Sequence, residues 1–177
     1  EDTDHPIEGW EIRLYVDANG DGVLDAGELT PVVTDSTDGN GDYEFADLGP
    51  GSYIVCEEVQ DGWIQTYPAS GTDCSPGTGG AFGYAFTAES GEDHEDNDFG
   101  NFELIDKLGR KFEDVNGDGD DEGGTDPAIE GWQIRIYVDA NADGILDAGE
   151  LLSVETTLTA ADGSYSFPNL GPGSYIV

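Results

Sequence analysis

Basic side chains are scarce in this 177-residue chain, which has 5 Lys and Arg residues against 40 Asp and Glu residues and a formal charge of −35. Nucleic acid is therefore excluded as a partner, because binding to phosphates needs clusters of Lys and Arg. The same shortage disfavours binding to an anionic membrane surface. No apolar run reaches the length of about 20 residues that a membrane-spanning helix needs, so membrane insertion is not expected.

A chain with this charge is expected either to stay disordered or to bind cations, because a compact body of one sign is destabilised by its own repulsion. Disordered segments have few aromatic residues and too little apolar character to form a core. This chain has 3 Trp, 8 Tyr and 7 Phe residues, which lie in regularly spaced apolar runs. We therefore expect a folded protein whose carboxylates are neutralised by bound cations.

Catalytic motifs are also missing from the sequence. It has no nucleophile elbow, no phosphate-binding glycine loop, no zinc signature and no Ser-His-Asp pattern with a supporting motif. His94 lies in the acidic run GEDHEDND, where a solvated loop explains it better than a metal site does. Carboxylates are so abundant that they give no evidence for an acid–base pair, and we expect a protein that is not an enzyme.

The sequence contains two copies of one module. Residues 8–55 align without a gap with residues 130–177: IEGWEIRLYVDANGDGVLDAGEL returns as IEGWQIRIYVDANADGILDAGEL, and DLGPGSYIV returns as NLGPGSYIV. The repeat predicts one module at 1–104, which lacks its opening strand, and a second at 105–177, which lacks its closing strands. Two interpretations stay open: the chain is a window on a longer array, which we favour, or neighbouring subunits supply the missing strands.

Apolar residues that alternate with polar ones predict β-strands throughout the chain. No window has the period of a helix, and Gly and Pro interrupt the chain at short intervals. The strands are predicted at 10–16, 43–45, 52–59, 62–67, 81–87, 97–104 and 132–138. Short strands separated by such turns are typical of a small β-sandwich. Trp10 and Trp132 lie in phase with the apolar face, so both are expected in the core.

Two segments have the spacing of a twelve-residue calcium-binding loop. DANGDGVLDAGE at 17–28 and DANADGILDAGE at 139–150 place carboxylate or amide side chains at positions 1, 3, 5, 9 and 12, with glycine at position 6. Position 7 supplies its backbone carbonyl, and the glutamate at position 12 supplies both oxygens. The predicted Ca²⁺ ligands are Asp17, Asn19, Asp21, Val23, Asp25 and Glu28 in the first loop, and Asp139, Asn141, Asp143, Ile145, Asp147 and Glu150 in the second.

A solvated acidic turn is the alternative to calcium binding, since Asp, Asn and Gly favour turns. Four converging carboxylates argue against it, because two like charges 4 Å apart repel by about 4 kcal/mol at an effective dielectric constant of 20. A bound divalent cation removes this repulsion. A strand rather than a helix enters each loop, so we expect structural clips, anchored by Leu24 and Leu146, rather than a calcium-triggered opening.

A third loop begins at Asp114 but departs from the twelve-residue pattern, because Thr125 stands at position 12. An insertion of one residue would let the next residue close the loop, and Asp120, Asp121 and Glu122 are alternatives for the ligand in between. The predicted ligands of this loop are Asp114, Asn116, Asp118, Asp120 and Asp126.

Cys56 and Cys74 are the only cysteines of the chain. They are either two buried thiols or a disulfide that ties the strand at 53–59 to the Gly/Ser/Pro-rich loop at 69–80. We favour the disulfide, which would contribute about 3 kcal/mol to the stability of an extracellular module.

Together these motifs resemble the SdrD B-like repeats of bacterial surface proteins, which are related to Cna-B and prealbumin-like domains. The resemblance rests on GRKFEDVNGDGD, on GWQIRIYVDANADGILDAGE, on the ADGSYSFPNLGPGSYIV run, on EEVQDGWIQTYP and on the DFGNF segment. It implies tandem Greek-key β-sandwich modules with calcium-binding loops, an extracellular or cell-surface location, and calcium ions and further copies of the module as partners. The implied role is a rigid stalk, surface fibre or filament. The alternative is an adhesin module that binds a carbohydrate or a host protein.

Overall fold

The computed structural model describes residues 4–122 and 124–177. Within these ranges all regular elements are β-strands, so the predicted all-β class is confirmed. They are β1 (Glu11–Val16), β2 (Val33–Ser36), β3 (Gly51–Glu57), β4 (Trp63–Tyr67), β5 (Thr72–Asp73), β6 (Phe82–Ala88), β7 (Gly100–Glu103), β8 (Ile105–Arg110), β9 (Gln133–Val138), β10 (Glu155–Leu158), β11 (Ser164–Leu170) and β12 (Tyr175–Ile176). None of the described segments is a helix long and apolar enough to cross a membrane.

The chain divides into two compact units, Glu1–Phe102 and Glu103–Val177, next to the predicted boundary at 104/105. In the first unit, a five-stranded sheet has the order β2-β1-β3-β6-β5, and β4 pairs with β7 in a second sheet. The five-stranded sheet is antiparallel, with Leu14 opposite Val55 and Ile12 opposite Glu57. Because side chains alternate between faces, this register sorts the apolar residues into two clusters.

The first cluster fills the space between the two sheets of the first unit. Trp10 contacts Trp63 of β4 edge-to-face, with ring centroids 5.4 Å apart. The buried members are Trp10, Ile12, Leu14 and Val55, packed against Ile7, Tyr43, Phe45, Leu48, Tyr53, Trp63, Phe86 and Phe99. Two sheets with a shared apolar layer are the arrangement expected of a β-sandwich.

The second cluster lies on the opposite face of the same sheet. It consists of Tyr15, Leu24, Ile54, Cys56 and Cys74, with Leu29 packed against it. Cys56 and Cys74 form a disulfide with a Cα–Cα distance of 5.8 Å, so the predicted bridge is confirmed. It holds the segment after β5 over the end of the first predicted calcium loop.

The second unit has the sheet β10-β9-β12 and the two-stranded sheet β11-β8. Its core is small and consists of Ile136, Phe167 and Leu170, with partly buried neighbours. Trp132 is 53% exposed, whereas the aligned Trp10 is 3% exposed, so the predicted burial of Trp132 is wrong. The ring of Trp63 covers Trp10 in the first unit, and the described residues of the second unit include no counterpart of Trp63.

The strand predicted at 43–45 is also wrong. Within the described ranges, residues 42–48 form no paired strand, although the aligned residues 164–170 form β11 and pair with β8. The apolar alternation of Tyr43 and Phe45 still directs their rings into the core. A strand requires a hydrogen-bonded neighbour, and the described part of the first unit has no counterpart of β8.

Candidate calcium-binding loops

The first predicted loop starts where β1 ends and turns around the carboxylate of Asp17, which is 5% exposed. This carboxylate accepts hydrogen bonds from the backbone N–H groups of Gly20 (2.7 Å), Asp21 (3.2 Å) and Gly22 (2.8 Å). Gly20 and Gly22 have φ values of 71° and 74°, a conformation that L side chains rarely adopt. The short Asp side chain and the two glycines together make the tight turn.

The remaining predicted side chains of this loop lie close together. The Asn19 amide donates to Asp21 (2.9 Å) and to Asp25 (3.2 Å). Glu28 reaches back to close the loop, because its two oxygens accept from the backbone N–H groups of Ala18 (2.7 Å) and Asp25 (3.1 Å). Asn19 thus contacts both Asp21 and Asp25 through its side chain. The carboxylates of Asp17 and Glu28 accept hydrogen bonds from backbone N–H groups of the same loop.

The second loop, 139–150, reproduces this geometry. Asn141 donates to Asp143 (3.0 Å) and Asp147 (3.2 Å). Glu150 accepts from the N–H groups of Ala140 (2.8 Å) and Asp147 (3.0 Å). Asp139 accepts from Asp143 N (3.1 Å) and Gly144 N (2.8 Å), and Asp143 accepts from Ile145 N (2.8 Å). The two loops therefore share their main hydrogen bonds as well as their sequence pattern.

The third loop is closed by Asp126, which is 1% exposed. Its carboxylate accepts from Val115 N (3.3 Å) and Glu122 N (3.2 Å). These residues are at the second and ninth positions of the loop, which are also the positions that Glu28 contacts in the first loop. With one inserted residue, the loop is thus closed by an aspartate at the thirteenth position instead of a glutamate at the twelfth.

Glu122, one of the three residues predicted as alternatives for the ligand in between, is the side chain at the ninth position of the third loop. The Asn116 amide donates to Asp118 (2.8 Å) and Glu122 (3.3 Å), as Asn19 does to its two aspartates. Asp120 is at the seventh position, where its N–H donates to Asp118 (2.9 Å), as Val23 N does to Asp21 (2.9 Å). Counting from Asp114 places Glu122 at the ninth position, so the inserted residue lies between Glu122 and the closing Asp126.

Surroundings distinguish the first loop from the second. Leu24 is 2% exposed in the cluster around the disulfide, whereas the aligned Leu146 is 36% exposed. The carbonyl oxygen of Gly22 accepts a hydrogen bond from Thr72 Oγ1 (2.9 Å). The segment held by the disulfide therefore supports the first loop, and the described residues of the second unit contain no equivalent segment.

The donor set of the loops suits calcium, because it offers carboxylate, amide and carbonyl oxygens and neither His nor Cys. Each of the first two loops carries four carboxylates and no Lys or Arg. Within the described residues, no three His, Cys, Asp or Glu side chains are grouped as in a formed metal site. The carboxylates accept hydrogen bonds from backbone N–H groups instead. In each of the first two loops the side-chain N–H₂ group of the asparagine lies between the carboxylates at positions 5 and 9 and donates to both.

Rotating the side-chain amide of Asn19 by half a turn would exchange the positions of its nitrogen and its oxygen, since the two atoms occupy nearly the same space. The oxygens of Asn19, Asp21 and Asp25 would then face one another, and they would repel unless a cation lay between them.

A separate polar cluster lies between the sheets of the first unit. Glu57, at the end of β3, is fully buried, and within the described residues neither of its oxygens has a hydrogen-bond partner. The same holds for Nε1 of Trp10 and Nδ2 of Asn101 in β7. Burial raises the pKa of Glu57 to about 7, although the nearby Asn101 and Trp10 side chains favour its charged form. Glu57 is in phase with the inward-facing Tyr53 and Val55, a signal that the sequence already contains.

The chain is similar to two sequences of serine-aspartate repeat-containing protein F from Staphylococcus epidermidis. One is 29% identical over 179 residues, which cover 93% of this chain and 10% of the relative. The other is 29% identical over 178 residues, which cover 100% of this chain and 9% of the relative. The chain thus spans about a tenth of the length of the curated relatives it matches. The resemblance to repeats of the serine-aspartate proteins is confirmed.

No protein-family description matches the chain. No solved structure matches it either.

Proposed function

We propose that this chain is part of an extracellular, calcium-binding structural repeat protein that forms a rigid stalk, surface fibre or filament. The proposal rests on the way in which a carboxylate closes each loop. In all three loops an acidic side chain reaches back to the backbone at the second and ninth positions, and an asparagine amide holds two further carboxylates. Three loops built alike from oxygen ligands favour one shared ligand, Ca²⁺.

The similarity to repeat-containing proteins supports a structural role. Both curated relatives are described by their repeats, and this chain contains two copies of its own module. We place the protein at the cell surface by analogy with the serine-aspartate repeat proteins, and its disulfide is consistent with an oxidising compartment. The adhesin alternative has no comparable observation in its favour among the described residues.

Calcium would stiffen the modules by removing repulsion. With a net charge of −35, the folded chain is under electrostatic strain, and each loop concentrates carboxylates within hydrogen-bond distance of one amide. A divalent ion at each loop neutralises charge and fixes the loop to the strand that enters it. Extracellular modules of this kind bind calcium with dissociation constants of about 0.1–1 mM.

Calorimetric titration of the whole chain with CaCl₂ tests the proposal. We expect three bound ions, and we expect the number to fall by one in each of the variants Glu28→Gln, Glu150→Gln and Asp126→Asn. Glu44→Gln, an exposed carboxylate outside the loops, is the matched control and should leave three ions. Chelation should also lower the melting temperature. Absence of binding at millimolar calcium, or a count that the loop variants leave unchanged, would overturn the proposal.

A further inference from the structure

Arg110 lies at the end of β8, where its guanidinium group contacts the third loop at two points. Its Nη1 atom donates to the carboxylate of Asp121, and its Nη2 atom donates to the backbone carbonyl oxygen of Asp126 (3.3 Å). Its Nε atom donates to the carbonyl oxygen of Asp162 (3.1 Å), in the turn between β10 and β11. One side chain thus joins two points of the loop to a turn of the same unit.

The two loop contacts of Arg110 lie on either side of the inserted residue. Asp121 directly precedes Glu122 at the ninth position, and Asp126 closes the loop at the thirteenth. The Asp126 carboxylate accepts from Glu122 N (3.2 Å), so the two ends of this stretch contact each other next to the guanidinium group. A longer stretch loses more conformational entropy when it is held in one geometry. Arg110 therefore fixes the part of the loop that departs from the twelve-residue pattern.

The eighth position of the loops shows why the third loop needs a different support. A leucine occupies this position in the first two loops, and Asp121 occupies it in the third. Leu24 is 2% exposed and anchors the first loop by burial in the cluster around the disulfide. An aspartate cannot anchor a loop in this way, because burial of a charge is costly unless it is paired. The ion pair between Asp121 and Arg110, whose side chains are 32% and 30% exposed, takes the place of the leucine anchor.

The charge of the third loop also favours a guanidinium group at this point. Residues 114–126 carry six carboxylates, against four in each of the twelve-residue loops. The additional carboxylates add repulsion within the loop. Arg110 neutralises Asp121, which stands at the eighth position, and the twelve-residue pattern has no calcium ligand at that position. The repulsion is therefore reduced without the loss of a ligand.

We propose that Arg110 is the positioning residue of the third loop: its guanidinium group bridges the stretch around the inserted residue and holds Glu122 and Asp126 in place for Ca²⁺. Arg110 does not bind the ion itself, because a guanidinium group only donates hydrogen bonds. It raises the affinity because groups that orient metal ligands restrict them to the bound geometry before the ion arrives. The inference rests on the proposed function and deepens it, since it names what prepares one of the three sites.

Removal of Arg110 alone changes charge as well as position. A guanidinium group near a cation site repels calcium, so its loss strengthens the attraction for the ion while it loosens the loop. The pair variant Arg110→Gln/Asp121→Asn removes one charge of each sign and leaves the net charge at −35. The matched control is Arg135→Gln/Glu155→Gln, which also keeps the net charge and substitutes exposed residues of β9 and β10 in the same unit.

The test is a titration of the whole 177-residue chain with CaCl₂, followed by NMR through the backbone amide signals of isotope-labelled protein. Gly22, Gly144 and Gly119 report the three loops separately, because each N–H group donates to the aspartate at the first position of its own loop. We expect the pair variant to bind calcium roughly tenfold more weakly at the third loop, with the affinities of the other two loops unchanged. The control variant should leave all three affinities unchanged. Arg110→Lys should give an intermediate affinity, since one ammonium group replaces a fork of N–H groups.

Amide hydrogen exchange in EDTA tests the bridge in the absence of calcium. The N–H groups of Val115 and Glu122 donate to the Asp126 carboxylate, and we expect both to exchange faster in the pair variant than in the unsubstituted chain. The equivalent N–H groups of the second loop, those of Ala140 and Asp147, should keep their exchange rates.

The proposal is overturned if the pair variant binds calcium at the third loop as tightly as the unsubstituted chain, or if the exchange in that loop is unchanged. It is also overturned if Gly144 loses its response to calcium together with Gly119, because Arg110 would then support the whole unit rather than one loop. If none of the three glycines responds to calcium in the unsubstituted chain, the proposed function is contradicted. Failure confined to the comparison of variants contradicts this inference alone.

Discussion

The carboxylate of Glu57 should destabilise the first unit at neutral pH as long as no cation pairs with it. The group titrates at about 7 when folded, against its ordinary value of 4.5. Below pH 4.5 both the folded and the unfolded chain carry the proton, so the group has no effect on stability. Between pH 4.5 and 7 only the folded chain holds it, so stability falls as the pH rises, and above pH 7 the full penalty applies. At about 1.4 kcal/mol per pH unit, the penalty is about 3 kcal/mol.

The variant Glu57→Gln removes this penalty. We expect it to be more stable than the unsubstituted chain by up to about 3 kcal/mol at pH 8 and equally stable at pH 4. Urea unfolding followed by tryptophan fluorescence measures the difference. A Trp132→Phe background restricts the signal to Trp10 and Trp63, which both lie in the first unit.

Substituting an exposed carboxylate of the same unit, Glu44→Gln, controls for the general loss of negative charge. The reasoning is refuted if the advantage of Glu57→Gln is the same at pH 4 and pH 8, or if the variant is less stable at pH 8.

Three further predictions concern the loops and their supports. Replacing Cys56 and Cys74 together by serine should cost about 3 kcal/mol and weaken calcium binding at the first loop only, as calorimetry would show. Leu24→Ala should cost about 2–5 kcal/mol, whereas Leu146→Ala, at a site that is 36% exposed, should cost less than half as much in the same urea assay. Ala142→Gly should stabilise the second unit by about 1 kcal/mol in thermal melts, because Ala142 has a φ of 56° that suits glycine.

Much of the fold could be predicted, because alternation specifies which face of a strand is buried. It identified β1 and β9 and the phase of Trp10 and Trp132. Alternation does not specify whether anything covers that face, and so it predicted equal burial for two tryptophans that differ in exposure by half of their surface. For the same reason it predicted a strand at 43–45, where the inward direction of the side chains is right and the paired neighbour is missing.

The tight turns of the loops were predictable, because the spacing of the calcium-loop pattern brings its side chains together. In each of the first two loops the asparagine at position 3 contacts the aspartates at positions 5 and 9, whereas the carboxylates at positions 1 and 12 contact the backbone. In the third loop the insertion shifts only the closing residue, so Glu122 keeps the ninth position and Asp120 stays at the seventh. The polar cluster around Glu57 was harder to predict, because it forms from residues of β3, β7 and the start of β1 that only the fold brings together.

The disulfide also limits how far the first unit can lengthen when its ends are pulled apart. The bridge joins residues with a sequence separation of 18. At about 3.5 Å per residue, it shortens the fully extended length of the chain by about 60 Å. The withheld stretch includes Trp63, which covers Trp10 in the folded unit. Even a fully stretched first unit therefore keeps part of its core tethered beside β3, which shortens the search for contacts when the tension is released.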